Sequence, residues 1–224
     1  MSFADKKLSE IAVSVPGSTS ILREYDLDFC CGGSDTLANA AAEKGLNLAE
    51  IETRLTELQN SKAENPEEYW VNATYPEIID HILVRYHQRH REQLQELIVL
   101  ADRVESVHGD REDCPIGVAA ELRNVYEDLS NHMMKEEHVL FPMIKAGNYM
   151  MAQMPIRMME MEHAEHGEHL DVLKSLTNNM TPPADACNTW RALYSGIQEF
   201  ADDLMMHIHR ENNILFPRVI AENH

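Results

Sequence analysis

Residues 132–142 read HMMKEEHVLFP, and residues 207–217 read HIHRENNILFP. Both stretches follow the pattern H-x-x-x-E-x-x-x-L-F-P, so this part of the chain contains an internal repeat. On a helix, the His and Glu of each copy lie one turn apart on the same face, where both side chains can reach a shared metal site. The repeat therefore predicts two equivalent helical segments that each supply a His and a Glu.

A weaker repeat precedes each copy of this motif. Residues 87–94 read HQRHREQL, and residues 163–170 read HAEHGEHL, so both follow H-x-x-H-x-E-x-L. The two repeats are spaced almost identically along the chain. Two helical hairpins related by an approximate two-fold axis would bring all four motifs together.

The region that contains the repeats divides into four long amphipathic segments, roughly 76–107, 116–146, 155–179 and 184–221. Gly and Pro residues lie in the connections, which are short. Short connections between long helices favour antiparallel neighbours. Apolar and polar residues do not alternate over a useful length, so strands are not expected. The sequence predicts an all-α fold, an antiparallel up-down-up-down four-helix bundle.

The first sixty residues have a different pattern, with short helices expected around 18–25, 34–43 and 47–58 because of their capping residues. The polar stretch SKAENP at 61–66 interrupts the apolar periodicity and is typical of a linker. We therefore expect three parts: a small N-terminal helical domain, a linker and the bundle. Their ranges are 1–60, 61–75 and 76–224.

Charge and cysteine content narrow the classes of function. The chain has 38 acidic and 19 basic side chains, a formal net charge of −19. This charge repels nucleic-acid phosphates and anionic lipid headgroups, so neither a nucleic acid nor a membrane is expected as a partner. No stretch approaches the roughly 18 apolar residues of a membrane span. Four scattered cysteines do not form a secreted disulfide framework, which favours the cytoplasm.

Each long segment contains a seam, the set of positions three or four residues apart that faces the bundle interior. In every seam, aliphatic residues flank ionisable ones. Burying so many ionisable groups in one layer costs free energy unless they are paired or bind a metal. The predicted seams are Leu83, His87, His90, Leu94, Leu97, Ala101 and Val104; Leu122, Val125, Leu129, His132, Glu136, Val139 and Met143; Ile156, Met159, His163, His166, Leu170 and Leu173; and Leu193, Ile197, Phe200, Leu204, His207, Glu211 and Ile214.

Several side chains near the seams have ordinary interpretations. His138, His169 and His209 lie off the seams and are expected to be solvated. Glu162 and Asp128 are either solvated charges or line a route to the metal. The 13 methionines are expected to be mostly adaptable core filler.

The seams do not decide which histidine of two pairs binds the metal, because His87 and His90 share one seam and His163 and His166 share another. A core histidine bonded to a neighbour is the competing interpretation for any single position. Four imidazoles with two carboxylates form a nitrogen and oxygen donor set, unlike the thiolate-rich sets of structural zinc. Such bundle sites hold two iron or two manganese ions, although the Glu-x-x-His pair of ferritin-like proteins is absent.

These motifs resemble the hemerythrin-like domain. Together with residues 25–33, YDLDFCCGG, they make nearly the whole chain similar to the bacterial iron–sulfur cluster repair di-iron proteins. The resemblance implies two non-haem iron ions with oxo and carboxylate bridges, and it makes the first His of each H-x-x-H the ligand. Classical oxygen-carrying hemerythrins have five His ligands and an Asp, a different set. The implied ligands are His87, His132, Glu136, His163, His207 and Glu211, with the two glutamates bridging.

The resemblance also implies a function. The family restores iron–sulfur clusters damaged by nitrosative or oxidative stress, by supplying iron, so damaged iron–sulfur proteins are the expected partners. Nitric oxide and oxygen are the expected small ligands. Two alternatives remain open: an enzyme that reduces nitric oxide at the di-iron centre, and a module that senses oxygen or nitric oxide by reversible binding.

Cys30 and Cys31 precede Gly32 and Gly33, and two glycines permit a backbone that exposes the thiols. Adjacent cysteines bridge each other only with strain, so a stable disulfide between them is not expected. Two interpretations remain. The cysteines either fill space at a helix end, or form a thiol pair that handles iron or nitric oxide or exchanges disulfides with a partner.

Overall fold

The computed structural model describes residues 2–61 and 66–222. Within these ranges the chain is helical, with no strand beyond one isolated bridge between Lys7 and Thr36. The predicted all-α class is confirmed. Contacts divide the chain into two compact units, one made of Met1–Ile78 with Met206–His224 and the other of Ile79–Met205. No helix in the described ranges has the length and apolar character needed to cross a membrane.

The N-terminal unit begins with a series of short helices. The three predicted helices are present with shifted boundaries. Thr36 caps the second of them, since its side chain accepts a hydrogen bond from the Asn39 N–H. Two further helices were not predicted, the first and the fifth. The five are α1 Leu8–Ser14, α2 Ser18–Glu24, α3 Leu37–Glu43, α4 Leu48–Asn60 and α5 Pro66–Asn72.

The predicted linker is therefore partly helical, because α5 lies inside the range 61–75. Residues 62–65 of that linker lie outside the described ranges. Glu67 of α5 is buried and forms an ion pair with Arg210, which groups the end of the chain with the N-terminal unit. The grouping by contacts thus differs from the division expected from the sequence.

Four long helical segments follow, as the sequence predicted. The first, second and fourth segments each consist of two α-helices joined by a five-residue π-helical turn. The third segment is a single helix. That helix begins at Tyr149 rather than at Pro155, which lies inside it. The helices are α6 Tyr75–Ile82, α7 Gln88–His108, α8 Val118–Lys135, α9 Phe141–Lys145, α10 Tyr149–Leu176, α11 Asn188–Arg210 and α12 Phe216–Ala221.

The π-helical turns span Leu83–His87, Glu136–Leu140 and Glu211–Leu215. After the second turn, the Phe141 N–H donates to the Glu136 carbonyl, five residues back. The following residue is Pro142, which has no N–H to donate to the carbonyl four residues earlier, and this favours the wider turn. The same L-F-P sequence follows the third turn.

The second π turn shifts the seam by one residue. Val139, predicted to face the interior, is 44% exposed, whereas Leu140 is 1% exposed. Ile144 is buried in place of Met143. The prediction for Val139 and Met143 is wrong because an α-helical seam takes no account of the extra residue in a π turn. The seams of α10 and α11 are buried at all their predicted positions.

Close packing of α7 against α11 depends on Gly196. A Cβ at this position would lie 2.7 Å from Leu97 Cδ2, so a larger residue would force the leucine to move. The glycine thus lets two seam-bearing helices of the Ile79–Met205 unit approach each other.

The expectation that the methionines are mostly core filler is wrong. Of the twelve methionines that the structure describes, Met133 and Met159 are buried, whereas six are exposed. The exposed ones are Met134, Met150, Met151, Met154, Met158 and Met161.

Candidate metal centre

All six candidate ligands are fully buried. In the Ile79–Met205 unit, His87 ends the first π turn, His132 lies in α8, Glu136 begins the second π turn and His163 lies in α10. The N-terminal unit holds the remaining two, His207 in α11 and Glu211 at the start of the third π turn.

The four ligand candidates of the Ile79–Met205 unit converge. Glu136 Oε2 lies 3.3 Å from His87 Nε2 and 3.5 Å from His132 Nε2. His163 Nε2 lies 3.1 Å from His132 Nε2. The ligand atoms of His132, Glu136 and His163 all lie within 4.8 Å of one another, close enough for one ion to contact all three.

His207 and Glu211 repeat this local arrangement. His207 Nε2 lies 3.3 Å from Glu211 Oε1, as expected for residues one helical turn apart. In both copies of the H-x-x-x-E motif, the carboxylate is the first residue of a π turn. The sequence repeat is therefore also a repeat of local geometry.

A carboxylate orients His87. Its Nδ1–H donates to Glu137 Oε1 at 2.8 Å, and the same oxygen accepts from Arg91 Nη2 at 2.7 Å. The bond from His87, with a smaller contribution from Arg91, outweighs partial burial and lowers the pKa of Glu137 to about 2. A carboxylate that stays ionised fixes both the ring orientation and the tautomer of a metal-binding histidine.

His132 has an equivalent partner in Glu162. Its Nδ1–H donates to Glu162 Oε2 at 2.9 Å, and Lys135 pairs with the other carboxylate oxygen. The bond from His132 is the main cause that lowers the pKa of Glu162 to about 2, with Lys135 adding to it. Two of the four histidines therefore have a carboxylate at Nδ1 and present Nε2 to the interior.

This geometry favours a cation among the ligand atoms. A neutral imidazole that donates from Nδ1 carries a lone pair on Nε2. The Nε2 lone pairs of His87 and His132 thus face the Glu136 carboxylate, and three electron-rich atoms repel one another unless a proton or a metal ion lies among them. A fully buried carboxylate also costs several kcal/mol without such compensation. The residues fit a divalent ion with nitrogen and oxygen ligands, iron among them.

The structure separates the histidines that the seam left paired. His90 is buried between aromatic rings, stacked on Tyr86 at 6.1 Å and edge-on to Phe200 at 5.4 Å. His166 packs its ring against that of His132 at 4.9 Å. Neither belongs to a set of clustered ligand atoms among the described residues, whereas His87 and His163 do.

The three histidines expected to be solvated differ in exposure, and His169 is only partly exposed. His138 is exposed, but His169 bonds to Glu121 Oε1 at 2.6 Å and to Asp128 Oδ2 at 3.1 Å. Burial opposes the charged form of His169, yet these bonds outweigh it and raise its pKa. Asp128 is therefore a hydrogen-bond partner of His169.

His209 is fully buried within the N-terminal unit, so its predicted exposure is wrong. Its ring lies edge-on to Phe29 at 5.4 Å, and Asn213 Nδ2 donates to its Nδ1 at 2.8 Å. Burial lowers its pKa, although a bond to Glu67 opposes this shift. The seam pattern considered only the bundle face of the helix, whereas the opposite face packs on the segment around Phe29.

A second cluster of candidate ligands lies in the N-terminal unit. The ligand atoms of Asp28, Cys30 and Cys31 lie within 4.8 Å of one another. Asp28 Oδ1 accepts the backbone N–H of both cysteines, at 3.0 and 2.9 Å. The two sulfurs are 3.7 Å apart, too far for a disulfide, as expected for adjacent cysteines.

The expected exposure of both thiols is wrong for Cys30, which is buried. The pKa of the Cys30 thiol is raised, mainly by the hydrogen bond with Cys31 and next by burial, which favours the protonated form. Gly33 allows a tight turn after the cysteines, because a Cβ at this position would lie 2.4 Å from the Phe29 carbonyl oxygen. Its φ is not positive, so close approach rather than unusual backbone geometry requires glycine here.

Comparison with known proteins agrees with this arrangement. Residues 78–219 match the hemerythrin HHE cation binding domain, and residues 4–59 match a domain of unknown function, DUF542. A probable iron–sulfur cluster repair protein of Haemophilus influenzae is 69% identical over 222 residues, which cover 99% of this chain and 100% of that protein.

Two further relatives are both named iron–sulfur cluster repair protein YtfE. The protein of Musicola paradisiaca is 54% identical over 98% of both chains, and that of Citrobacter koseri is 54% identical over 99% of both chains. Since the similarity extends over both matched domains, the chain belongs to the iron–sulfur cluster repair family of proteins with a hemerythrin HHE domain.

Proposed function

We propose that this chain is a di-iron protein that repairs damaged iron–sulfur clusters by supplying iron. The observation that carries the proposal is the convergence of His87 Nε2, His132 Nε2 and Glu136 Oε2, which calls for a buried cation. The cation binding domain that the chain matches, residues 78–219, contains all the proposed ligands. These ligands are His87, His132, Glu136, His163, His207 and Glu211, with Glu136, Glu211 and an oxo group as the bridges.

The side chains around the proposed ligands determine how firmly iron is held. Glu137 and Glu162 keep a proton on Nδ1 of His87 and His132, so Nε2 stays available as a donor. Bound iron would be the species passed to a client. Release requires ligands of the client to take the place of these donors on the iron. The buried carboxylates must then take up protons, because they are costly without a cation.

The N-terminal domain, residues 1–60, has its own part in this proposal. Cys30 and Cys31 accept outgoing iron or exchange disulfides with the client, and Asp28 is close enough to share the ion. Thiolate sulfur is also the ligand that iron meets in iron–sulfur proteins. Residues 61–75 connect this domain to the iron-binding part, 76–224.

The setting of this activity is also proposed. Nitrosative or oxidative damage produces the clients, nitric oxide and oxygen are small ligands of the iron, and the cytoplasm is the compartment. The free cysteines support a reducing compartment, since disulfides form readily in oxidising ones.

The test joins metal analysis to a transfer assay. Anaerobic, iron-loaded full-length protein is mixed with an apo iron–sulfur enzyme, sulfide and reductant, and recovery of client activity is followed. We expect about two irons per chain and faster recovery than with the same amount of free ferrous iron. Stoichiometric zinc in protein from its native host, or recovery no faster than with free iron, would overturn the proposal.

Variants of the glutamates test the bridges. Glu136→Ala and Glu211→Ala should each lose at least half of the iron, because a bridging carboxylate serves both ions, and client recovery should fall in proportion. Glu127→Ala removes an exposed carboxylate from the same helix as His132 and is the matched control. Unchanged iron content in both glutamate variants would show that these residues are not bridges.

A further inference from the structure

The first half of α10 exposes a row of methionines. Met150, Met151, Met154, Met158 and Met161 are between 49% and 77% exposed. At 3.6 residues per turn, these five positions fall within an arc of about 100° on the helix surface. We call this row the methionine face. It is a continuous apolar strip, unlike the isolated exposed valines of α7.

A cleft adjoins the methionine face. It has a volume of about 220 Å³, and its lining includes Met158, Pro155 and Val139. Val139 reaches the surface here because the π turn moves it out of the seam. Glu162, whose carboxylate holds His132, forms part of the same lining. The apolar surface therefore extends to the carboxylate that orients a proposed iron ligand.

Methionine suits a surface that must accept different partners. Its side chain is flexible and polarisable, so it packs against many shapes and is enriched at promiscuous binding surfaces. A continuous exposed apolar strip also marks interaction sites more reliably than scattered apolar residues do. A protein that serves several clients requires this kind of adaptable contact.

The charges near the strip indicate what covers it. The same helix face continues into Glu165 and Glu168, both exposed, while Arg157 lies at its edge. Lys135 lines the cleft, but its charge is paired with Glu162. The whole chain has a formal net charge of −19, which draws cationic partners toward it. A complementary partner has apolar side chains followed by Lys or Arg along one face.

We propose that the methionine face docks an amphipathic, cationic helix of the client protein, in the helix-on-groove mode of recognition. This inference rests on the proposed repair function, which supplies the client. The docked helix covers the cleft beside Val139 and places its cations near the exposed Glu165 and Glu168, since Glu162 is already paired with Lys135. Contact with a client thus reaches the carboxylate that fixes His132.

Peptide binding tests the surface itself. The probe is a labelled synthetic 18-residue peptide of Leu and Lys at helical spacing, followed by fluorescence anisotropy with full-length protein; a Leu and Glu peptide is the charge control. The variant Met154→Gln/Met158→Gln/Met161→Gln should bind the Leu and Lys peptide at least tenfold more weakly than wild type. The corresponding triple Leu variant should stay within about twofold, because it keeps the apolar surface.

The matched control is Val99→Gln/Val107→Gln, which removes two exposed apolar side chains from α7 in the same unit. It should bind the peptide as wild type does. Equal binding by the methionine-to-glutamine variant, or equal weakening in the valine control, would overturn the docking surface. A wild-type dimer that becomes a monomer in the methionine-to-glutamine variant would also overturn it, since the face would then join two copies of this chain.

The repair assay links the surface to clients. The methionine-to-glutamine variant should raise the client concentration for half-maximal rate at least fivefold, with unchanged iron content and maximal rate. An unchanged half-maximal concentration in an active protein would show that clients dock elsewhere. If wild type repairs nothing, the proposed function fails, whereas the peptide experiment still decides whether the surface binds a cationic amphipathic helix.

Discussion

Replacing Glu137 should weaken iron binding in a graded way. In Glu137→Gln, the amide oxygen still accepts the His87 Nδ1–H, but the negative charge is lost. Arg91 is then left without its carboxylate, at little cost, because 36% of its side chain is exposed and can be hydrated. Loss of such a supporting partner costs about 10- to 100-fold in metal affinity. We expect Glu137→Gln to lose iron affinity at the lower end of this range, about 10-fold or 1.4 kcal/mol.

Glu137→Ala removes the acceptor as well as the charge. The His87 ring is then free to rotate or to change tautomer, so the effect should approach about 100-fold, or about 2.7 kcal/mol. The assay is anaerobic competition for ferrous iron against a chelator of known affinity. Unfolding of the iron-free variants by urea separates a binding effect from a folding effect.

The matched control is Glu92→Gln, which alters an exposed carboxylate of α7. It should retain iron as wild type does. Wild-type affinity in Glu137→Ala would refute the reasoning, and so would equal losses in the Gln and Ala variants, since the grading follows from the retained hydrogen bond.

Three further predictions concern the N-terminal thiols, a tight turn and His169. Cys30→Ser with Cys31→Ser should preserve iron content but slow client recovery; loss of iron would make the thiols ligands, and undiminished recovery would leave them a packing role. Gly33→Ala should lower the free energy of unfolding by roughly 1–3 kcal/mol, because its Cβ would lie 2.4 Å from a backbone oxygen; unchanged urea denaturation would contradict this. His169 has a raised pKa through Glu121, so its contribution is present below its unfolded pKa and is lost as pH rises through the folded one. His169→Gln should therefore cost about 0.5–1 kcal/mol at pH 6 and less at pH 9, as measured by urea unfolding, whereas an equal cost at both pH values would exclude a charge effect.

The sequence was sufficient for the bundle and for the burial of its candidate ligands. Four amphipathic segments, a duplicated H-x-x-x-E motif and a consistent seam place His132 and His207 inside without any tertiary information. The seam could not choose between His87 and His90, because both face inward. That choice depends on tertiary contacts: a carboxylate bonds to the His87 ring, whereas the His90 ring packs between aromatic rings.

Other features depend on contacts that a single helix does not encode. Glu137 follows Glu136 directly and resembles any surface carboxylate, and only the packing of α7 brings His87 and Arg91 to it. The burial of His209 depends on the residues that cover the far side of its helix. The π turns had a signal, the L-F-P sequence after two of them, but a regular seam does not allow for an added residue.

The turn that carries Glu211 also holds the segment that carries the thiols. Asn212 Nδ2 donates to the Cys30 carbonyl at 3.0 Å, and Asn213 Nδ2 donates to the Phe29 carbonyl at 2.8 Å. Each such bond is worth about 0.5–1.5 kcal/mol, so together they limit any coupling between the two segments to about 3 kcal/mol. Thermodynamic linkage makes that coupling symmetrical. If Glu211 binds iron, as we propose, any effect of that binding on the affinity of the thiol segment for a ligand is matched by the same effect of that ligand on iron affinity, a factor of at most about 150.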